Sequence, residues 1–334
     1  MRPSRTAHPM PAERVDGLPL PLTRLALGTM TFGDTADESA SAAMLDAALE
    51  AGVTVVDTAN GYAGGESERI VGRLLAGRRD QVVLATKAGI PHPDAGAHSP
   101  LSPAGLRASV DGSLARLNTD RVDLFYLHQP DRAARLEDTL ATVAELADAG
   151  KIGALGVSNY AAWQIGDVIR VAEETGAPRP VVAQQVYNLL ARRLEDEYAE
   201  FATVHGVHTM VYNPLGGGLL TGRYRRDEAP TSGRFGDSRL SEMYRRRYWD
   251  ERLFDALDRL ALLADEAGLP LVELAYRWLF AREVTGSVLL GGSRVDQLRA
   301  NLALAAAPPL DAELVAACDA VSAGLAGPAP AYNR

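Results

Sequence analysis

The decapeptide Val53-Thr54-Val55-Val56-Asp57-Thr58-Ala59-Asn60-Gly61-Tyr62 reads as a short β-branched strand that ends on a carboxylate, followed five residues later by a phenol. Two further strands of the same kind end the same way: Val82-Val-Leu-Ala-Thr-Lys87 on an ammonium, and Leu124-Phe-Tyr-Leu-His128 on an imidazole. Acid, base and orienting groups that follow separate strands meet only if the strands are parallel and their carboxyl ends converge, the defining geometry of a (β/α)8 barrel. The fold class expected is therefore α/β, a (β/α)8 TIM barrel.

Working outward, the same near-continuous apolar runs recur at Leu25–Gly28, Ala154–Ser158, Val181–Gln184, His208–Asn213 and Ser287–Leu290, which brings the total to eight strands. Runs without alternation are those of parallel strands buried on both faces. Between them lie helical stripes. Ser102-Pro103 supplies an N-cap and a first-turn proline ahead of Leu106, Val110, Leu114 and Leu117. Trp163, Val168, Ile169 and Ala172 precede Gly176, and Leu253, Phe254, Leu257, Leu260 and Ala261 precede Gly268, each stripe closing at a glycine. Two connections break the rhythm, Ile90–Leu101 and the long stretch from Leu215 to about Trp249. A loop longer than ~15 residues is commonly functional. The second stretch, after the seventh strand, holds eight arginines against four acids between Arg223 and Arg247, in a chain whose net charge is −9. It reads as a lid over the barrel mouth, either solvated or gripping an anion.

Composition narrows the class. A 334-residue chain that is 47% hydrophobic and 23% charged fits one barrel with insertions, without forcing a second domain. The expected organisation is a flexible N-terminal arm over 1–21 and a single domain over 22–334. The acidic balance argues against a general nucleic-acid surface, and no apolar run approaches the ~18 residues of a membrane span. One cysteine, Cys318, permits no intrachain disulfide, and the opening segment lacks a signal-peptide core, so a cytoplasmic setting is expected. No Gly-x-Gly-x-x-Gly follows the first strand, no P-loop occurs, and Gly156-Val-Ser-Asn-Tyr160 is not a nucleophile elbow. His205 and His208 have no third ligand nearby, so no metal is expected.

What remains is Asp57, Tyr62, Lys87 and His128. A phenol donates a proton to a carbonyl oxygen if a neighbouring ammonium stabilises the phenolate it becomes. Lys87 can supply that charge, Asp57 can hold Lys87, and His128 can hydrogen-bond and orient the substrate oxygen.

These residues resemble the aldo-keto reductases, from about Leu25 to the C-terminus, and most closely the aflatoxin-aldehyde and succinic semialdehyde reductase branch. The resemblance implies that Tyr62 is the general acid for hydride transfer from NADP(H). It implies that Ser158, Asn159 and Gln184 bond the nicotinamide carboxamide, that Tyr212 stacks on its ring, and that Asn213, Pro214, Leu215, Gly217, Leu219 and Arg223 wrap the pyrophosphate. Ser293, Arg294, Gln297 and Asn301, with Arg234, would hold the phosphates. The branch resemblance rests on Ser158–Trp163, Gly218–Gly222, Gly233–Phe235, Glu242–Trp249 and the terminal Arg334. It places Tyr244, Arg247 and Arg334 on a substrate carboxylate, which arginine grips with two parallel hydrogen bonds. It implies a homodimer, and a small carbonyl compound as the partner. Asn60-Gly61 and Thr31-Phe-Gly33 depart from the mammalian pattern, and Gly61 is expected to widen the pocket. Gly291-Gly292 stands where other branches have Lys-Ser, which leaves Arg294 to neutralise the 2′-phosphate. The same fold also serves sugar ketoreductases and channel β subunits that sense nicotinamide.

Overall fold

Buried on both faces, the β-branched runs have no stable arrangement except as parallel neighbours covered by helices, and the chain adopts it. A computed structural model describes residues 10–326. Of the flexible arm expected over 1–21, the part before Met10 lies outside the described residues, as does Arg334. Ala12–Glu13 (β1) and Leu22–Thr23 (β2) pair antiparallel as a hairpin. Eight further strands close a parallel barrel: Leu25–Gly28 (β3), Val55–Asp57 (β4), Val83–Ala88 (β5), Val122–Leu127 (β6), Ile152–Ser158 (β7), Pro180–Val186 (β8), His208–Tyr212 (β9) and Ser287–Leu290 (β10).

The described chain divides into two compact units, one comprising residues up to Gln185 with Glu197–Val211 and Gly286–Ala306, the other Val186–Asp196, Tyr212–Thr285 and Ala307 onward. In the first unit the intervening helices are Glu38–Glu50 (α1), Glu66–Leu74 (α2), Pro103–Leu117 (α3), Leu136–Asp148 (α4), Ala162–Thr175 (α5) and Tyr198–His205 (α6), with Val295–Ala303 (α10) following β10. The second unit holds Ser241–Tyr248 (α7), Glu251–Glu266 (α8), Leu271–Phe280 (α9) and Ala312–Ala326 (α11).

Register carries the site. Asp57 pairs with Ala85, and Lys87, two residues further along β5, shares its face and pairs with Tyr126, which in turn pairs with Gly156. The Tyr126 ring occupies the place a side chain at Gly156 would take: a Cβ there would lie 2.5 Å from a ring carbon. At the opposite, N-terminal end of the strands the hairpin is tied to the barrel. Thr54 donates through its hydroxyl to the Pro21 carbonyl at 2.6 Å, and His208 joins Glu13 and Ser287, each at 2.9 Å. His205 instead stacks on Phe201, the ring centres 4.3 Å apart.

In α3 the Ser102 hydroxyl caps the Gly105 amide and the whole stripe Leu106, Val110, Leu114 and Leu117 is buried. In α5 the stripe fails at Trp163, which is 60% exposed. Five positions separate it from Val168, an angle of about 140° round the helix, so the two cannot share a face. The stretch after β9 is not an open loop. Its 3-10 turns Gly216–Thr221 and Gly233–Phe235 and the helix α7 surround an aromatic cluster of Tyr224, Phe235, Tyr244, Trp249 and Phe254.

Candidate active site

At the end of β4, Asp57 is buried, and a 3-10 turn beginning at Tyr62 carries the phenol back over the strand ends. Lys87, wholly buried, directs its ammonium to three acceptors: an Asp57 carboxylate oxygen, the Thr58 carbonyl at 2.8 Å and the Tyr62 hydroxyl oxygen at 3.4 Å. An ammonium has three donors, so all are engaged, and a tyrosine oxygen that accepts from Lys87 keeps its own proton to give. The second Asp57 oxygen accepts from the Gln184 amide at 2.9 Å. His128, the residue after β6, faces the Tyr62 ring edge-on, with centres 6.1 Å apart. The four residues read from strand ends are thus brought together.

The charges follow from this packing. Burial works against the Lys87 ammonium, but Asp57 and Tyr62 more than restore it, so the group is held above its ordinary value and stays charged. Burial raises the Asp57 carboxyl, opposed by Lys87 and by the Gln184 bond. Burial, helped by repulsion from Lys87, pushes His128 down to about 3, so the imidazole is neutral near pH 7. Its Nδ1 is buried with no hydrogen-bond partner among the described residues.

Ser158 ends β7, and Asn159, in a left-handed conformation at φ 62°, donates to the His128 carbonyl at 2.9 Å and to the Ser158 hydroxyl at 3.1 Å. A hydroxyl and two amides set beside the tetrad form the donor and acceptor set that a planar primary carboxamide requires, so these residues fit a nicotinamide. Ser293, Gln297 and Asn301, four residues apart, lie along one side of α10 and the turn that leads into it. Arg294 grips Asp296 through two bonds of 3.0 and 2.6 Å, in the open. Solvent screens such a pair, and an arriving phosphate can displace the aspartate.

The second unit holds the remaining predicted residues. Asn213 accepts from the Gly217 amide at 2.7 Å and donates to the Tyr248 hydroxyl at 2.8 Å. Pro214, Leu215 and Leu219 follow in the same turn, where Leu219 is buried. Burial raises the Tyr212 phenol, and the charge and hydrogen bond of Arg247 oppose it, which places these two side by side. Tyr244 packs where a Gly217 side chain would otherwise lie, with Arg234 over its ring at 5.7 Å. The Arg223 guanidinium lies over Tyr224, 4.4 Å from the ring centre. Several of the arginines are committed to acids: Arg226 bonds Asp258 at 2.6 Å, and Arg246 bonds Glu242 at 2.5 Å.

The profile of the aldo/keto reductase family matches residues 24–323 of this chain. The chain belongs to the aldo/keto reductase family. It is 37% identical to aflatoxin B1 aldehyde reductase member 2 of Mus musculus over the whole chain and 93% of that protein. To the Homo sapiens protein of the same name it is 37% identical over 95% of the chain and 91% of the relative. It is also 33% identical to a probable voltage-gated potassium channel subunit beta of Oryza sativa subsp. japonica, over 90% of the chain and 93% of that protein. As a member of this family the chain is an oxidoreductase acting on carbonyl groups.

One expectation about the pocket needs correction. Gly61 does not leave space open: a Cβ there would lie 2.4 Å from the end of Ile90, which fills that volume. Two features escaped the sequence reading. Asn60 is fully buried with neither amide atom bonded among the described residues. A buried charged network behind β5, centred on Arg116, ties together the segments that follow Tyr62 and Lys87. A carboxylate at Glu68, on the same buried face of α2 as Ile70 and Val71, was the visible signal for it.

Proposed function

We propose that this chain reduces aldehydes to alcohols with NADPH, and that carboxylated or dicarbonyl aldehydes such as succinic semialdehyde are favoured. The observation that carries the reading is the Lys87 ammonium, with Asp57 on one side and the Tyr62 hydroxyl on the other. A bound nicotinamide supplies the hydride. Tyr62 gives its proton to the carbonyl oxygen as that oxygen gains charge, and Lys87 stabilises the phenolate left behind. Asp57 fixes Lys87, and neutral His128 orients the carbonyl oxygen by a hydrogen bond. Ser158, Asn159 and Gln184 hold the carboxamide, and Tyr212 stacks on the ring. Asn213, Pro214, Leu215, Gly217, Leu219 and Arg223 take the pyrophosphate, and Arg234, Ser293, Arg294, Gln297 and Asn301 the remaining phosphate. Arg247, Arg334 and Tyr244 hold the substrate carboxylate. The names of the mammalian relatives favour an aldehyde substrate.

The test is a carbonyl panel run with NADPH and NADH side by side. Faster oxidation of NADPH with succinic semialdehyde than with neutral aldehydes is expected, and oxidation with no carbonyl in the panel would overturn the reading. Deleting Arg334 separates substrate class from chemistry: the preference for carboxylated aldehydes disappears while neutral aldehydes turn over as before. An unchanged preference removes the carboxylate assignment.

The potassium channel relative favours a second reading, a module that binds nicotinamide and turns it over slowly. Cofactor that stays bound through dialysis, with turnover slower than its release, would favour that reading. We further propose a cytoplasmic homodimer, for which light scattering should give twice the chain mass.

A further inference from the structure

Tyr62 is held on an unusual piece of backbone. The three residues after it, Ala63, Gly64 and Gly65, all have left-handed conformations, with φ of 48°, 63° and 88°. The glycines take up that region freely, but an alanine there costs about 1–2 kcal/mol, so Ala63 is held in place by its surroundings.

What holds it is visible on the side away from the barrel interior. Arg116 on α3 is 10% exposed in its side chain, and its Nε donates to Glu68 at 2.6 Å. Its two terminal nitrogens grip Asp94 as a fork, at 3.0 and 2.7 Å. Glu68 is fully buried in the first turn of α2, the helix that starts where the Tyr62 turn ends, and its other oxygen accepts from Thr86 at 2.5 Å. Thr86 is the neighbour of Lys87 on β5, and Asp94 lies in the connection that leaves β5. One guanidinium therefore ties the helix behind Tyr62 to the loop behind Lys87. The two tied segments also touch beside the phenol, where Ile90 fills the space over Gly61.

Glycines clear the way for this clamp. A Cβ at Gly65 would lie 2.7 Å from Arg116 Cδ, and one at Gly112 would lie 2.6 Å from Asp94 Oδ2. Apolar side chains of similar volume would hold three elements together at least as stably, because burying a guanidinium and two carboxylates carries a desolvation cost. What the charged fork adds is directional geometry.

We propose that Arg116 is a positioning residue for the proton donor: through Glu68 and Asp94 it sets the distance between the Tyr62 hydroxyl and the Lys87 ammonium. The proposal rests on the reading of Tyr62 as the acid. Two variants test it, Arg116→Lys, which keeps the charge but loses the fork, and Glu68→Gln with Arg116→Met, which removes the guanidinium and the fully buried carboxylate together and leaves the less buried Asp94 without its arginine partner. Single-turnover reduction of succinic semialdehyde by NADPH is followed against pH, beside NADPH affinity and KM.

A displacement of about 1 Å at a reacting group costs on the order of 100-fold in rate. The expected result is a fall of about 10- to 100-fold in the single-turnover rate at pH 7, with KM and NADPH affinity within about twofold and a displaced alkaline limb of the pH profile. Arg116→Lys should lie between wild type and the double variant, and it carries the test alone if the double variant does not fold. A rate within about twofold of wild type in a folded variant, or a fall with an unmoved pH profile, overturns the proposal. If Tyr62→Phe is inactive while these variants are normal, only the Arg116 assignment fails. If Tyr62→Phe turns over like wild type, the acid assignment itself is lost.

Discussion

Lys87 spends its three protons on Asp57, Thr58 and Tyr62, and the protein carries a buried charge to make that possible. Removing one member of a buried pair costs about 3–5 kcal/mol, because the other is left uncompensated. Lys87→Met should therefore unfold at a much lower denaturant concentration than wild type. Asp57→Asn with Lys87→Met should recover most of that loss and stay inactive. Recovery of activity along with stability would show that the pair is structural only.

His128 gives a pH dependence whose sign follows from its depressed titration. Folded, it protonates only near pH 3, whereas the unfolded chain takes up the proton near its ordinary value of 6.5. Between those two values the unfolded state binds more protons, so this residue costs stability as pH falls from 6.5 towards 3, by about 1.4 kcal/mol per pH unit. His128→Gln should show a shallower loss of stability than wild type across that window in urea titrations. Parallel curves would contradict a buried neutral imidazole.

The elements were legible in unequal degree. Strands such as Leu25–Gly28 and Ser287–Leu290 could be read to the residue because parallel strands buried on both faces need an unbroken apolar run, which sequence shows directly. The clustering of Asp57, Tyr62, Lys87 and His128 was legible for a related reason: each stands near a strand end, where polarity interrupts the run. Trp163 was misplaced because an apolar residue at a helix start satisfies a loose stripe without facing the core. The internal order of the arginine-rich stretch was not legible, because it comes from aromatic pairs such as Tyr224 with Phe235 and Trp249 with Phe254, which no periodicity announces. The Arg116 clamp joins residues far apart in sequence, so a carboxylate at Glu68 on the buried face of α2 signals a buried charge there but does not name its partner. At this scale Gly156 is a sharp test. Gly156→Ala would press into the Tyr126 ring, and overpacking of this kind costs about 1–3 kcal/mol. A urea midpoint equal to wild type would show that the ring has room to move.

Across the whole molecule the two ends of the strands divide the work. The carboxyl ends carry Asp57, Lys87 and His128, whereas the amino ends are closed by the hairpin, with His208 between Glu13 and Ser287. The C-terminal face of such barrels is where chemistry resides, and the other face serves stability. His208→Gln should accordingly lower stability by about 1–3 kcal/mol through a lost buried hydrogen bond, and leave single-turnover reduction unchanged. Equal losses in both would mean that the ends are coupled.

Everything proposed for this site turns on Tyr62 as the proton donor for carbonyl reduction, and single-turnover reduction of succinic semialdehyde by NADPH in Tyr62→Phe against wild type decides it. General acid catalysis contributes about 100- to 10,000-fold, so a loss of that size is expected with NADPH affinity unchanged. A Tyr62→Phe rate equal to that of wild type would contradict it.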